Sequence, residues 1–190
     1  MHMLEAGGEG GTLRLRSRPA ALAAVGAVAI AAGLLCAPSG ALAQDPYYIS
    51  VGGGIYDFNR TQVGQGRLEL RFADSFLYLK PMLGLLVTTD RAVYGYGGLR
   101  LDLYLGHRFV VTPNAALGGY YRGDGINLGA TLEFKTGLEI DYRFDDHSRL
   151  GVAVDHISNA GITKQNPGAN SALVYYSFPF GPMGEDRIAR

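Results

Sequence analysis

The stretch Thr131-Leu132-Glu133-Phe134-Lys135-Thr136-Gly137-Leu138-Glu139-Ile140-Asp141-Tyr142-Arg143-Phe144 decides the fold, because two chemical kinds alternate along it. Leu132, Phe134, Leu138, Ile140, Tyr142 and Phe144 hold one phase, and Glu133, Lys135, Glu139, Asp141 and Arg143 hold the other. Successive side chains of a strand point to opposite faces, so one face is apolar and the other carries five charges. The pattern alone leaves two folds open: a soluble barrel or sandwich with the apolar face inward, or a membrane barrel with it outward.

The neighbouring blocks favour the membrane. Segment 65 to 73 sets Arg67, Glu69 and Arg71 against Leu68, Leu70 and Phe72, and segment 92 to 105 sets Arg100 and Asp102 against Leu99, Leu101, Leu103 and Leu105. Charges of alternating sign predict ladders between neighbouring strands inside a narrow, polar, paired interior. The aromatics Tyr47, Tyr48, Tyr56, Phe58, Tyr120, Tyr121, Tyr142, Phe144, Tyr175, Tyr176, Phe178 and Phe180 cluster near strand ends, as interface girdles do.

Eight strands are expected, over 47 to 58, 65 to 73, 76 to 87, 92 to 105, 108 to 121, 129 to 144, 148 to 158 and 170 to 180, making an all-β, eight-stranded antiparallel transmembrane β-barrel. At that size the interior is filled by side chains and is no pore. The even count places both termini on the periplasmic side and makes 59 to 64, 88 to 91, 122 to 128 and 159 to 169 the outer loops. Gly52-Gly53-Gly54 lies inside the first strand, where close approach or curvature explains it better than phosphate binding. After Phe180 the polar tail 181 to 190 departs from the usual aromatic end of a barrel.

The amino terminus sets the compartment. Arg14, Arg16 and Arg18 precede an uncharged run from Pro19 to Ala37, and Ala41-Leu42-Ala43 follows with small residues at the processing positions. Residues 1 to 43 therefore read as a cleaved signal peptide, with the barrel over 44 to 180; an uncleaved anchor is the alternative, the run being nearly long enough to span at ~20 residues. Cys36 is the only cysteine and lies inside the signal behind bulky Leu34 and Leu35, so neither a lipid anchor nor a disulfide is expected. Removing the signal's three Arg and two Glu from 17 basic and 17 acidic residues leaves 14 and 15, a nearly neutral chain with nothing that suggests nucleic acid. No cofactor or metal is expected, since no paired-carboxylate, Cys-His or nucleotide motif is present and His107 and His147 fall in turns far from His156.

Chemistry concentrates between 155 and 180. His156 and Ser158 are two apart on a strand, on one face and roughly 7 Å apart at their α-carbons. That spacing lets an imidazole reach a hydroxyl, the pairing a serine nucleophile needs. Both continue the lipid-facing series Leu150, Val152 and Val154, where barrel filling explains them poorly. Two readings stay open from spacing alone: a nucleophile with its base, or interface residues bonding headgroups and loop backbone.

His156-Ile157-Ser158-Asn159-Ala160-Gly161 followed by Asn166-Pro167-Gly168 closely resembles the motif of the outer-membrane lipid A 3-O-deacylases, or acyloxyacyl hydrolases. The likeness extends to 97 to 103, to Asn127-Leu128-Gly129 with Glu133-Phe134, and to Tyr142-Arg143-Phe144-Asp145-Asp146, most of the domain after the signal. The resemblance implies a bacterial outer-membrane location and an eight-stranded barrel whose outer surface carries a Ser-His-acid triad. It also implies removal of the ester-linked acyl chain at position 3 of lipid A, with lipid A or lipopolysaccharide as substrate and outer-membrane lipid as surroundings. A homodimer is compatible with it. By motif, His156 would be the general base, Ser158 the nucleophile, and Asn159 with backbone amides around Gly161 the oxyanion donors. The family's acid, a glutamate at the start of the last strand, falls on Asn170 when the loop is matched without gaps. An amide orients an imidazole but lends the imidazolium no full charge, and for a serine nucleophile the replacement can cost about 10⁴ in turnover where it also selects the wrong tautomer. A noncatalytic barrel with a structural or binding role is therefore the rival. Arg122 and Lys164 could meet lipid A phosphates, or be ordinary solvated loop charges.

Overall fold

The computed structural model describes residues 45–181, so the signal segment, its cleavage before Gln44 and the tail from 182 onward lie outside the described residues. The strands are β1 (Tyr47–Tyr56), β2 (Val63–Arg71), β3 (Lys80–Thr88), β4 (Val93–Arg100), β5 (Leu103–Leu105), β6 (Phe109–Tyr121), β7 (Leu132–Arg143), β8 (Arg149–Ser158) and β9 (Ala169–Phe180). All pair antiparallel in the order β4-β3-β2-β1-β9-β8-β7-β6-β5, and a further β4–β6 pairing closes the sheet. Because β4 and β5 both lie along β6, they form one interrupted strand, and the barrel is eight-stranded.

That interruption has a local cause. Arg100 pairs with Asn114 and Leu103 with Val111, so Leu101 and Asp102 face Thr112 and Pro113. Proline has no N–H to give to the ladder. The Leu101 N–H still donates to the Pro113 carbonyl at 3.0 Å, but no bond can return.

The two phases of each strand resolve as in a membrane barrel. Val152 and Val154 are each 52% exposed, whereas Glu133, Lys135, Glu139 and Asp141 are at most 1% exposed. The apolar wall faces outward, which excludes the soluble alternative. Inside, Arg67 of β2 reaches Glu139 of β7 at 3.0 Å and Asp155 of β8 at 2.9 Å. Arg71 meets Glu69 at 2.7 Å and Glu139 at 2.9 Å, Lys135 meets Asp155 at 2.9 Å, and the Tyr96 and Tyr175 hydroxyls donate to Glu69 and Glu139. A second network joins Asp102 and Asp45 with Lys80, Arg100 and Arg149. Lys135–Asp155 joins the neighbouring strands β7 and β8, as the sequence predicts, whereas Arg67–Glu139, Arg67–Asp155 and Arg71–Glu139 cross the lumen, because a long arginine in a narrow barrel also reaches the far wall.

Close approach to the neighbouring strand β9 explains Gly52 and Gly54 of β1, whereas Gly53 has room for a side chain. A Cβ at Gly52 would lie 2.5 Å from the Tyr175 Cβ. The girdle expectation needs correcting for four aromatics, because Tyr48, Tyr56, Tyr120 and Tyr175 occupy inward phases and are buried. Tyr47, Phe72, Phe109, Tyr142, Phe144, Tyr176, Phe178 and Phe180 form contacting rings near the end that holds the described termini. The third strand starts later than expected. Phe76 to Leu79 make a tight turn of their own, with Leu77 and Tyr78 at positive φ and an isolated bridge between Phe76 and Leu79. The connections β1–β2, β3–β4, β6–β7 and β8–β9 gather at the opposite end, above a buried cluster of Tyr56, Tyr94, Tyr120, Leu128 and Ile157.

Candidate active site

The last residues of β8 and the first of β9 place a polar group on the otherwise apolar wall. His156 pairs with Asn170 across β8–β9 and with Thr136 across β7–β8, and Ser158 pairs with Phe134. His156 is exposed, and Ser158 and Asn170 are partly so, all three on the outward phase. His156 Nδ1 lies 2.7 Å from Asn170 Oδ1. With the amide oxygen as acceptor, Nδ1 carries the proton and Nε2 keeps its lone pair, the form a general base requires. No bond joins Ser158 to His156 among the described residues, and such contacts commonly tighten only around a substrate.

The connection after β8 is held from inside. Asn159 is fully buried, and its Nδ2 lies 2.8 to 2.9 Å from the Leu128 and Gln165 carbonyls and the Thr163 hydroxyl. Its Oδ1 accepts the Gly161 N–H at 3.0 Å, and its own N–H donates to Asn166 Oδ1 at 3.1 Å. Strand phase explains this, since 156 and 158 point outward and 159 must point inward. The Asn159 side chain thus braces the turn from below, away from the lipid-facing group. Ala160 and Gly161 both take positive φ in a tight turn that the Ile162 N–H closes on the Asn159 carbonyl at 3.0 Å.

Two contributors, Thr136 and Arg60, escape a reading of the sequence, and the contact Gly168 makes is new. Thr136 adds a hydroxyl beside His156. Gly168, buried and at φ +62°, lies against the imidazole: a Cβ there would come within 2.7 Å of Cε1 and 3.2 Å of Nε2. Arg60, from the β1–β2 connection, donates to the Gly168 carbonyl and also reaches the Pro167 carbonyl at 3.5 Å. The Asn-Pro-Gly motif is visible in the sequence, but its neighbour Arg60, 108 residues from Gly168, is not. Arg122 and Lys164 are exposed on outer connections, and Glu133 lies inside the barrel. His107 and His147 sit in turns at the opposite end, and no group of metal-ligating side chains occurs among the described residues.

Comparison with known proteins bears on this group. The family model described as "Lipid A 3-O-deacylase (PagL)" matches residues 9–179. Lipid A deacylase PagL of Pseudomonas aeruginosa is 35% identical over 65 residues, which are 34% of this chain and 37% of that relative, so the match spans little more than a third of its length. The crystal structure of the outer membrane enzyme PagL superposes with a TM-score of 0.55 at 19% identity, covering 70% of this chain and 99% of that one. A de novo designed transmembrane β-barrel superposes almost as well, with a TM-score of 0.52 at 12% identity over 71% of this chain and 95% of the design. A designed barrel that fits this well shows that such superposition speaks for the fold alone.

Proposed function

The chain belongs to the lipid A 3-O-deacylase (PagL) family, and from that membership and the His156–Asn170 contact we propose that it is an esterase removing the ester-linked 3-O-acyl chain of lipid A. Its barrel resides in the bacterial outer membrane, where the apolar wall around His156 faces lipid. The observation that carries the proposal is the 2.7 Å contact that leaves a basic nitrogen two residues from a serine, on a surface made largely of Val, Leu, Ile and aromatic residues.

In the proposed reaction, Nε2 of His156 takes the Ser158 hydroxyl proton as Oγ attacks the ester carbonyl. The tetrahedral oxyanion is met by peptide N–H groups of the 159–161 turn. Those of Asn159 and Gly161 are held by side-chain acceptors and would exchange them for the oxyanion. Collapse breaks the bond to the sugar oxygen, which takes the proton from His156 Nε2. Water, deprotonated by the same nitrogen, then cleaves the acyl-serine to release a fatty acid. Leu150, Val152 and Val154 offer the acyl chain an apolar bed reached laterally from the leaflet. Asn170 orients the ring without a full charge, so turnover should be lower than a carboxylate would allow.

Asn170 also supports the rival, a barrel with a structural or binding role. Incubating the purified protein with lipid A in detergent separates the two. Release of a single hydroxy fatty acid supports the esterase, and intact lipid A after prolonged incubation with folded protein supports the rival.

A further inference from the structure

The β1–β2 connection is tied to the site by contacts that barrel closure does not require. Asp57, just after β1, is fully buried at φ +50°, a conformation that Asp tolerates better than most residues. A buried carboxylate needs partners, and here all come from its own turn. Arg60 Nε and Nη2 donate to Oδ1 at 3.0 and 2.7 Å, and the Thr61 N–H and hydroxyl to Oδ2 at 3.3 and 3.0 Å. The Arg60 and Gln62 N–H groups also close on the Asp57 carbonyl.

Held in this way, the guanidinium is aimed at β9. It donates to the Gly168 carbonyl and reaches that of Pro167, while the Phe58 N–H donates to the Asn170 carbonyl at 3.1 Å. The turn therefore fastens both neighbours of the imidazole, Gly168 at its Cε1–Nε2 edge and Asn170 at Nδ1. A planar, forked cation suits this task, since it holds one carboxylate and two carbonyls at once.

We propose that Asp57 and Arg60 form a latch that positions His156, with Arg60 the positioning residue and Gly168 the part that lies against the ring. The latch fixes the ring's rotation, so that Nδ1 stays on Asn170 and Nε2 remains clear of the strand backbone. Its catalytic consequence rests on the esterase reading above; its effect on the ring does not.

The test uses the full barrel purified from membranes in detergent, as wild type, Arg60→Ala and Arg60→Lys. The ring resonances of His156 are followed by proton–carbon NMR, together with the rate of Ser158 labelling by a fluorophosphonate and the kcat and KM for an acyl ester. Arg60→Ala should shift and broaden the His156 signals and lower labelling and kcat roughly tenfold. KM should change less than about twofold, since the apolar bed is untouched. Lysine, which keeps a cation within reach of the carbonyls, should restore much of both. Unchanged ring signals in Arg60→Ala overturn the latch, and so does loss of the heat-modifiable gel band of a folded barrel, which would make Arg60 a folding residue. If the ring signals shift while the wild type neither labels nor hydrolyses, the latch stands and the esterase reading falls.

Discussion

Polar side chains occur in two places in this barrel, and they are treated in opposite ways. Inside, Arg67, Arg71, Lys135, Glu69, Glu139 and Asp155 are buried and tied into one network across the lumen. Outside, His156, Ser158, Asn170 and Thr136 sit on the apolar wall, where among the described residues His156 and Asn170 share a bond. A buried charge left alone costs several kcal/mol, so the interior network is a condition of folding. Nothing in barrel construction asks for an imidazole and a hydroxyl facing lipid. Polar groups that a fold tolerates but does not need are the ones to assign to function.

The sharpest way to break that comparison is to remove the outer groups. Ser158→Ala and His156→Ala should each lower ester hydrolysis by about 10⁴ or more, because members of such a unit act together. The same variants should leave the unfolding free energy, read from the urea midpoint, within about 0.5 kcal/mol of wild type. Full activity in either variant rejects its assigned role, and a large loss of stability would mean that the outer group is structural after all.

The inner region should answer in reverse. Glu139 meets Arg67 at 3.0 Å, Arg71 at 2.9 Å and the Tyr175 hydroxyl at 3.0 Å. Glu139→Ala strands buried positive charge and should destabilise the barrel by about 3–5 kcal/mol, read from the shift in urea midpoint, while the fraction still folded keeps its specific activity. A midpoint that does not move would show that water hydrates the lumen and that the network contributes little.

A smaller effect is expected where chemistry and packing meet. Asn170→Glu puts a charge where the ring now meets an amide, and turnover should rise roughly tenfold to a hundredfold, short of the full 10⁴ because a carboxylate at the lipid face is costly to desolvate. The gain needs the ionised form, so it should be present at neutral pH and fade as the pH falls and the carboxylate protonates. Kinetics of both proteins from pH 4 to 8 would check it, and no gain in a folded variant would remove Asn170 from the site.

What the sequence discloses follows strand phase. Alternation in 131 to 144 places every charge of that strand on the correct side, and the common phase of His156, Ser158 and Asn170 puts them on one surface before any coordinates are known. The same rule read strictly turns Asn159 inward, where the structure has it. Local chemistry that interrupts alternation is harder to read. Pro113 breaks the partner strand at Leu101–Asp102 from eleven or twelve positions away, and the apolar run Phe76 to Leu79 looks like a strand but folds as a turn. Tyr48 and Tyr175 are rich in ring area and near strand ends, yet their phase sends them inside. The latch is invisible because Arg60, held by Asp57, meets Gly168 only once β1 lies beside β9, a pairing that exists only after the barrel closes.

The most direct measurement is the mass spectrum of lipid A from cells expressing the wild-type chain, the Ser158→Ala chain, or neither. Wild-type expression should yield lipid A lighter by one hydroxyacyl chain, with Ser158→Ala indistinguishable from cells lacking the protein although its barrel is present in the outer membrane at the same level. Identical spectra from all three, with the wild-type barrel folded and abundant, would contradict the assignment of an esterase to this surface.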